Sequence, residues 1–416
     1  MPGPLPRRRF LGIGAAVAGA YATAACAPIA PPPPAAAPAS GTTVPGVALE
    51  PLPGIEKPKI TVGFIPITCS SPIVNAKALG IYAKHGLDVT LKKFSGWAEV
   101  WAAYATGEID ATHMLAPMPL AIDQGLASGR MRTRLPLITN TNGQAITLHR
   151  KHFGRVRGPE DFAGMRLGVP FDYSVHNLLI RDFLSRGGLD PDTDVELRVL
   201  RPPDMVANLM TGGVDGYLGP DPFNQRAVAT GAGYLFTLTR DLWAGHPCCG
   251  FGVNDEFAQA NPVTYQALTR AVHDAALWSD KAENRAAAAR SMAPEQFLNQ
   301  QPQLLEAILT GEFQDGTGIA RRVPDRVRFE PYPQEAFGIW MLTQFQRWGL
   351  AGAGRWTTAQ EYRDTVRSVF DADASRAAFT ALGVPPPAPA TELLINGRRF
   401  DPDHPSHWTV KQVSTT

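Results

Sequence analysis

"TGEIDATHMLAP", Thr106–Pro117, is answered further along the chain by "TGGVDGYLGPDP", Thr211–Pro222. The flanks recur in the same order: "VGFIP" from Val62 corresponds to "LGVPF" from Leu167, and "GLDVTL" from Gly86 to "GLDPDTDVEL" from Gly188. Landmarks that repeat in order imply a repeated supersecondary unit. Working outward, "KITVGFIPI" is a short apolar, β-branched run stopped at Pro66, which predicts a buried strand. "SPIVNAKALGIYAKHG" has helical spacing and ends at Gly86. "LDVTLKKF" then reads as a strand, "WAEVWAAYATG" as a helix closed by Gly107, and "IDATHML" as a strand. The second copy runs "MRLGVPF", "SVHNLLIRDFLSRGG", "VELRVL", "PPDMVANLMTGG" and "VDGYLG". Strands alternating with helices form parallel sheets covered on both faces, so two such units predict two α/β lobes. The shared phrase TG-[IV]-D closes the second helix and starts the third strand of each unit.

After Pro247 the chain turns helical, as in "PVTYQALTRAVHDAALWSD" and "YPQEAFGIWMLTQFQRWG", with apolar residues at three-to-four spacing and no third copy of the unit. These helices are expected to pack back onto the first lobe, leaving two crossings, near Gln144 and Gly250. The expected organisation is residues 58–144 as the first part of lobe 1, 145–250 as lobe 2, and 251–416 as the completion of lobe 1 with C-terminal helices and tail. Two lobes joined by short crossings enclose a cleft, and ligands of open α/β sheets sit beyond the carboxyl ends of the strands.

The 416 residues suffice for two or three domains, and 39 Lys and Arg against 38 Asp and Glu leave a formal charge of +1. That balance points away from nucleic acid. It leaves room for a small anion, which local donors hold. Residues 1–26, with "RRRFLGIGAAVAGAYATAAC", read as an export signal. Arg7 and Arg8 resemble a twin-arginine signal, and Ala24, Ala25 and Cys26 the end of a lipoprotein box, with Cys26 as the lipidated residue. Residues 27–57 read as a Pro/Ala-rich tether. The expected location is the periplasm or cell surface, anchored to the membrane by a lipidated N-terminus.

Signatures of common enzymes do not occur: there is no G-x-S-x-G, G-x-x-x-x-G-K-[ST], H-E-x-x-H or G-x-G-x-x-G. "HRKH", His149–His152, reads as a solvated loop rather than a metal site, and no metal or cofactor is expected. Cys69 could pair with Cys248 or Cys249 in an exported protein, or all three could stay buried free thiols. Adjacent cysteines do not suit a structural zinc site. The loops after strands carry more information. "ITCSSP" places Thr68 and Ser70 at the first helix, and "FDYSVH" places Ser174 and His176 at its counterpart, where free N–H groups favour an anion. "FSGWAEVW" puts Trp97 at the next strand-to-helix turn, and "NTNGQAIT" puts Gln144 at a crossing.

Together, "GFIPITCSSPI", "KALGIYAKHGLDV", "GWAEVW", "GEIDATHMLAPMPLAI", "NGQAITLH", "YSVHNLL", "GHPCCGF" and "NGRRFDPDHP" resemble the periplasmic nitrate- and bicarbonate-binding proteins of ABC transporters, over nearly all of the chain beyond the tether. The resemblance implies an α/β, type II periplasmic-binding-protein fold, with two α/β lobes, a hinge and an interlobe cleft. It implies a monomer that binds a small inorganic anion and hands it to an ABC permease and ATPase, with no catalysis. The family's ligand contacts fall on Trp97, Gln144 and His176, near Asp221 in the "GPDP" turn, with Thr68, Ser70, Cys248 and Cys249 beside them. Nitrate binders carry a lysine and bicarbonate binders a glutamate where this chain reads His246, Pro247, Cys248, Cys249. The missing glutamate also removes the acidic ligand of the calcium described for bicarbonate relatives, and favours nitrate or nitrite. Without the lysine, backbone N–H groups and a protonated His176 are expected to meet the anion's charge, so affinity should fall as pH rises. Two other functions fit the sequence less well: an extracytoplasmic anion sensor, and a pyrimidine-precursor-synthase-like enzyme, whose cysteine-rich motif "CCGF" resembles.

Overall fold

The structure, a computed structural model, describes residues 50–126 and 129–411. The signal and most of the tether lie outside the described residues.

The first copy of the repeat forms β1 (Lys59–Phe64), β2 (Asp88–Lys93) and β3 (Ala111–Leu115), with β1 parallel to both neighbours. Helix α1 (Ser71–Ala78) follows β1, a turn at Leu79 and Gly80 leads into α2 (Ile81–Lys84), and α3 (Trp97–Ala105) precedes β3. The single helix expected between β1 and β2 is thus broken, because Gly80 adopts a left-handed conformation that an α-helix cannot continue.

β4 (Thr133–Asn142) stays with the first sheet, and β5 (Gln144–His149) belongs to the second. Between them Asn142 and Gly143 take φ of 57° and 89°, a left-handed pair that sends the chain across. The second copy then gives β6 (Arg166–Val169), β7 (Glu196–Val199) and β8 (Gly216–Pro220), again with the first strand parallel to and between the other two. Helix α4 (Met118–Asp123) lies between β3 and β4; α5 (Val175–Arg186) and α6 (Pro202–Met210) alternate with β6–β8. β9 (Gly233–Leu238) completes a five-stranded sheet of order β7-β6-β8-β5-β9. β10 (Pro247–Asn254) returns to the first sheet, antiparallel between β3 and β4.

Why TG-[IV]-D recurs is visible at atomic level. Thr106 and Thr211 each bond the carbonyl four residues back, at Ala102 and Ala207, both at 3.0 Å. Gly107 and Gly212 follow with φ of 71° and 73°, ending the helix as a left-handed C-cap. Asp110 and Asp215 then staple the third strand to the first. Each donates its own N–H to a first-strand carbonyl, Thr61 at 2.9 Å and Arg166 at 2.8 Å, and each carboxylate accepts the N–H of that same residue, at 2.9 and 3.0 Å.

Three features depart from the expected layout. Residues 50–57 are not free tether: Leu52 and Ile55 pack on the first lobe, and Glu56 accepts the N–H groups of Val263 and Thr264 at 3.1 and 2.8 Å. A carboxylate there caps the start of helix Pro262–Asp280 and complements its dipole. That helix packs on α1 through Ile73, Ala76, Leu268 and Val272. Helix Glu335–Arg347 instead reaches the second unit, where Arg347 pairs with buried Asp182 of α5 at 2.5 Å. Finally, a hairpin of Glu312–Gln314 and Ala320–Arg322 lies along β9, with Leu235 N–H donating to Asp315 O at 2.8 Å. The chain then returns to the first sheet at Val327–Arg328, so two further passages, out and back, join the lobes. Among the described residues no helix is long and apolar enough to cross a membrane.

Candidate functional site

The loops that follow the strands of both sheets meet at the crossings. The turn after β1 and the turn after β8 are tied directly: Thr68 N–H and Oγ1 both donate to the Asp221 carbonyl, at 2.9 and 3.1 Å. The Asp221 carboxylate is held by Arg326 through Nε and Nη2, each at 3.0 Å, and both side chains are about 1 % exposed. Arg326 also donates to Gln225 at 2.8 Å and lies over the Phe313 ring at 4.1 Å. Burial pushes the carboxyl up and the guanidinium down, and their pairing opposes both shifts. The Asp221 carboxylate is therefore already satisfied by protein.

A second set of contacts runs through the crossing. His246 Nδ1 sits 3.0 Å from the Pro247 carbonyl, which can only accept, so Nδ1 carries the proton. Nε2 then accepts from the Thr239 hydroxyl at 2.8 Å, and that hydroxyl lies 3.1 Å from the Gln144 carbonyl. Gln144 donates through Nε2 to Asn142 O at 2.6 Å, and its amide also lies against the Cys69 sulfur, as does that of Asn140. Cys69 Sγ is 3.6 Å from Cys248 Sγ, which is 3.4 Å from Cys249 Sγ; the three thiols are buried and free. Burial opposes ionisation of all three. At Cys69, hydrogen bonds from Cys248, Cys249, Gln144 and Asn140 outweigh it and hold the thiol below its usual range, whereas burial pushes Cys248 and Cys249 up.

His176, in the first turn of α5, is 1 % exposed, and neither ring nitrogen has a hydrogen-bond partner among the described residues. Burial, with the nearby His246 adding to it, pushes its imidazole down to about 3. A protonated His176 was expected; the interior desolvates the ring and keeps it neutral. Trp97, at the start of α3, is also 1 % exposed with Nε1 unpartnered among the described residues, and its ring rests against His113 at 5.2 Å. His113 resembles His176: buried, unpartnered at both nitrogens and pushed down to about 3 by burial. Ser70 closes its own turn on Ile67 O at 2.8 Å, a structural use of its hydroxyl. In "HRKH", His149 Nδ1 accepts the Lys151 N–H at 3.0 Å, and His152 Nε2 lies 3.2 Å from Asp215.

The structure thus joins Thr68 to Asp221, and Gln144 to the cysteines, while Trp97 and Ser70 stay outside those contacts. Sequence reasoning passed over Arg326, Asn140, His113 and Thr239. His113 lay within the repeated phrase itself; Arg326 is distant in sequence and no local pattern marks it. A surface pocket of about 700 Å³ elsewhere is lined by Arg132, Arg134, Arg367 and Arg376. All four are paired, with Asp255, Asp371, Glu335 or Asp373, so it offers no unmatched charge.

Two mixed α/β sheets joined at crossings, with the loops after their parallel strands meeting between them, are the fold of the periplasmic-binding-protein class. The chain belongs to the NMT1-like family, whose model matches residues 54–293. It is 29% identical over 389 residues to the nitrate/nitrite binding protein NrtA of Nostoc sp., covering 86% of each chain. It is 33% identical over 316 residues to the nitrate import ATP-binding protein NrtC of Synechocystis sp.; that match spans 71% of this chain but only 47% of NrtC. The crystal structure of the periplasmic nitrate-binding protein NrtA from Synechocystis superimposes with a TM-score of 0.81 at 26% identity, covering 85% of this chain and 98% of that one.

Proposed function

We propose that this chain is the substrate-binding component of an ABC importer, taking a small oxyanion, nitrate or nitrite in preference to bicarbonate, into the interlobe cleft and delivering it to a permease. The observation that carries the reading is that two of the expected ligand contacts, Trp97 Nε1 and the His176 ring, are buried donors without a partner among the described residues. Leaving such groups without a partner costs roughly 1–3 kcal/mol each, which a bound acceptor recovers. A neutral His176 donates from one nitrogen only, enough for one oxygen of a planar anion. No lysine or glutamate stands in the segment His246–Cys249, so fixed dipoles and neutral donors supply the recognition. Likeness to NrtA supports the assignment to transport rather than catalysis. Because every candidate residue is buried, ligand exchange requires the lobes to part, a hinge motion around the crossings. Export by residues 1–26, lipidation of Cys26 and a monomeric state belong to the same reading.

Isothermal calorimetry against nitrate, nitrite, bicarbonate, cyanate and small sulfonates tests it. One-to-one binding of nitrate or nitrite, with bicarbonate weaker, is expected. Tighter binding of bicarbonate or a sulfonate would replace the ligand, and binding of none would remove the reading.

A further inference from the structure

We propose that Cys69, Cys248 and Cys249 form a binding site for a soft, thiophilic cation, with monovalent copper the ion best suited to it. The proposal stands on sulfur geometry and is independent of the anion reading. Their three Sγ atoms all lie within 4.8 Å of one another, and the three residues are fully buried. A metal about 2.3 Å from each sulfur holds the sulfurs roughly 3.8–4.0 Å apart. The observed separations of 3.6 and 3.4 Å need only a small expansion.

Neighbouring cysteines on a regular strand would point to opposite faces. Here the pairing of β10 with β4 shifts register on both sides of Cys249, and the irregularity brings both sulfurs together. Cys69 reaches them from the short turn after β1, so ligands from two separate elements converge. Thiolate ligands select soft ions. Among the described residues no histidine, aspartate or glutamate joins the three sulfurs, which favours an ion content with three-coordinate sulfur over zinc, which wants a fourth ligand. On binding, each ligating thiol exchanges its S–H bond for a metal–sulfur bond and releases its proton to solvent; no electron is transferred.

The test is titration of the full chain, purified under reductant, with Cu(I) buffered by a competing chelator, with Zn(II) as the softness comparison and Ca(II) as the hard-ion control. Cu(I) should bind one to one, show thiolate-to-copper absorption and protect three thiols from alkylation, with Zn(II) weaker and Ca(II) silent. Cys69→Ser, Cys248→Ser and Cys249→Ser should each weaken Cu(I) binding at least a hundredfold. Alkylation protection in the wild type keeps the test decisive should a serine variant fail to fold. Unprotected thiols, serine variants that bind like wild type, or a disulfide between any two of these cysteines on non-reducing mass spectrometry would overturn the site. Nitrate titration of the same samples reads the anion site separately.

Discussion

The two copies of the α/β unit agree in their staples and differ at their tips. Asp110 and Asp215 make the same pair of bonds to the first strand of their sheets. Each carboxylate also meets a lysine, Lys57 or Lys151, both at 2.6 Å. Beyond the staple, the first copy presents His113 and the loop to α4, while the second presents Asp221, consumed by Arg326. What is shared holds strands in register; what diverged differs in whether its polar groups already have partners. The buried groups with partners are structure, and those without are the places where a ligand is worth seeking.

The sharpest way to break this comparison is Arg326→Ala. It leaves Asp221 buried and unpaired, and the expected loss is about 3–5 kcal/mol in urea unfolding. A double change, Arg326→Met with Asp221→Leu, should recover most of it. A loss below about 1 kcal/mol would put the pair among weak surface bridges instead.

Next come the staples. Asp110→Ala and Asp215→Ala should each cost roughly 1–3 kcal/mol by leaving a first-strand N–H without its side-chain partner. Thermal unfolding of both variants measures whether the two copies are energetically as well as geometrically alike. Sharply unequal losses would break the equivalence.

The unpartnered donors should behave in the opposite way. Trp97→Phe should keep stability within about 1 kcal/mol while weakening nitrate binding by roughly 1–3 kcal/mol, whereas Gln144→Ala, which removes a donor already bonded to Asn142 O, should cost stability and weaken binding less. Calorimetry beside a melting curve separates the two effects; normal binding by either variant would make that residue structural.

The smallest expected effect is in the pH profile. With its imidazole pushed from the ordinary 6.5 to about 3, His176 stays neutral across the physiological range. Nitrate affinity should then be flat between about pH 5.5 and 8.5, and a fall with rising pH would show a charged ring. Stability carries the complementary signal. The unfolded chain takes up a proton that the buried ring refuses, so His176 contributes fully above its ordinary value and that contribution is lost as pH falls toward 3. His176→Gln should therefore reduce acid sensitivity without altering the nitrate profile.

Period and punctuation were legible without coordinates. The alternation of strand and helix and the closing Thr-Gly are local features, set by residues within a few positions of one another, whereas the staple aspartates act on strands 49 residues away. Equally legible were the loops carrying Trp97 and His176, because strand-to-helix turns announce themselves in sequence. Only the tertiary structure decided which of those residues have partners. Asp221 is consumed by an arginine far along the chain, and His176 is neutral because burial, a property of the packed interior, outweighs its intrinsic basicity. The same holds for the cysteines. Their positions along the chain suggested a disulfide or idle thiols, and it took the irregular pairing of β10 to gather three sulfurs, since pairing register belongs to the sheet and not to any one strand.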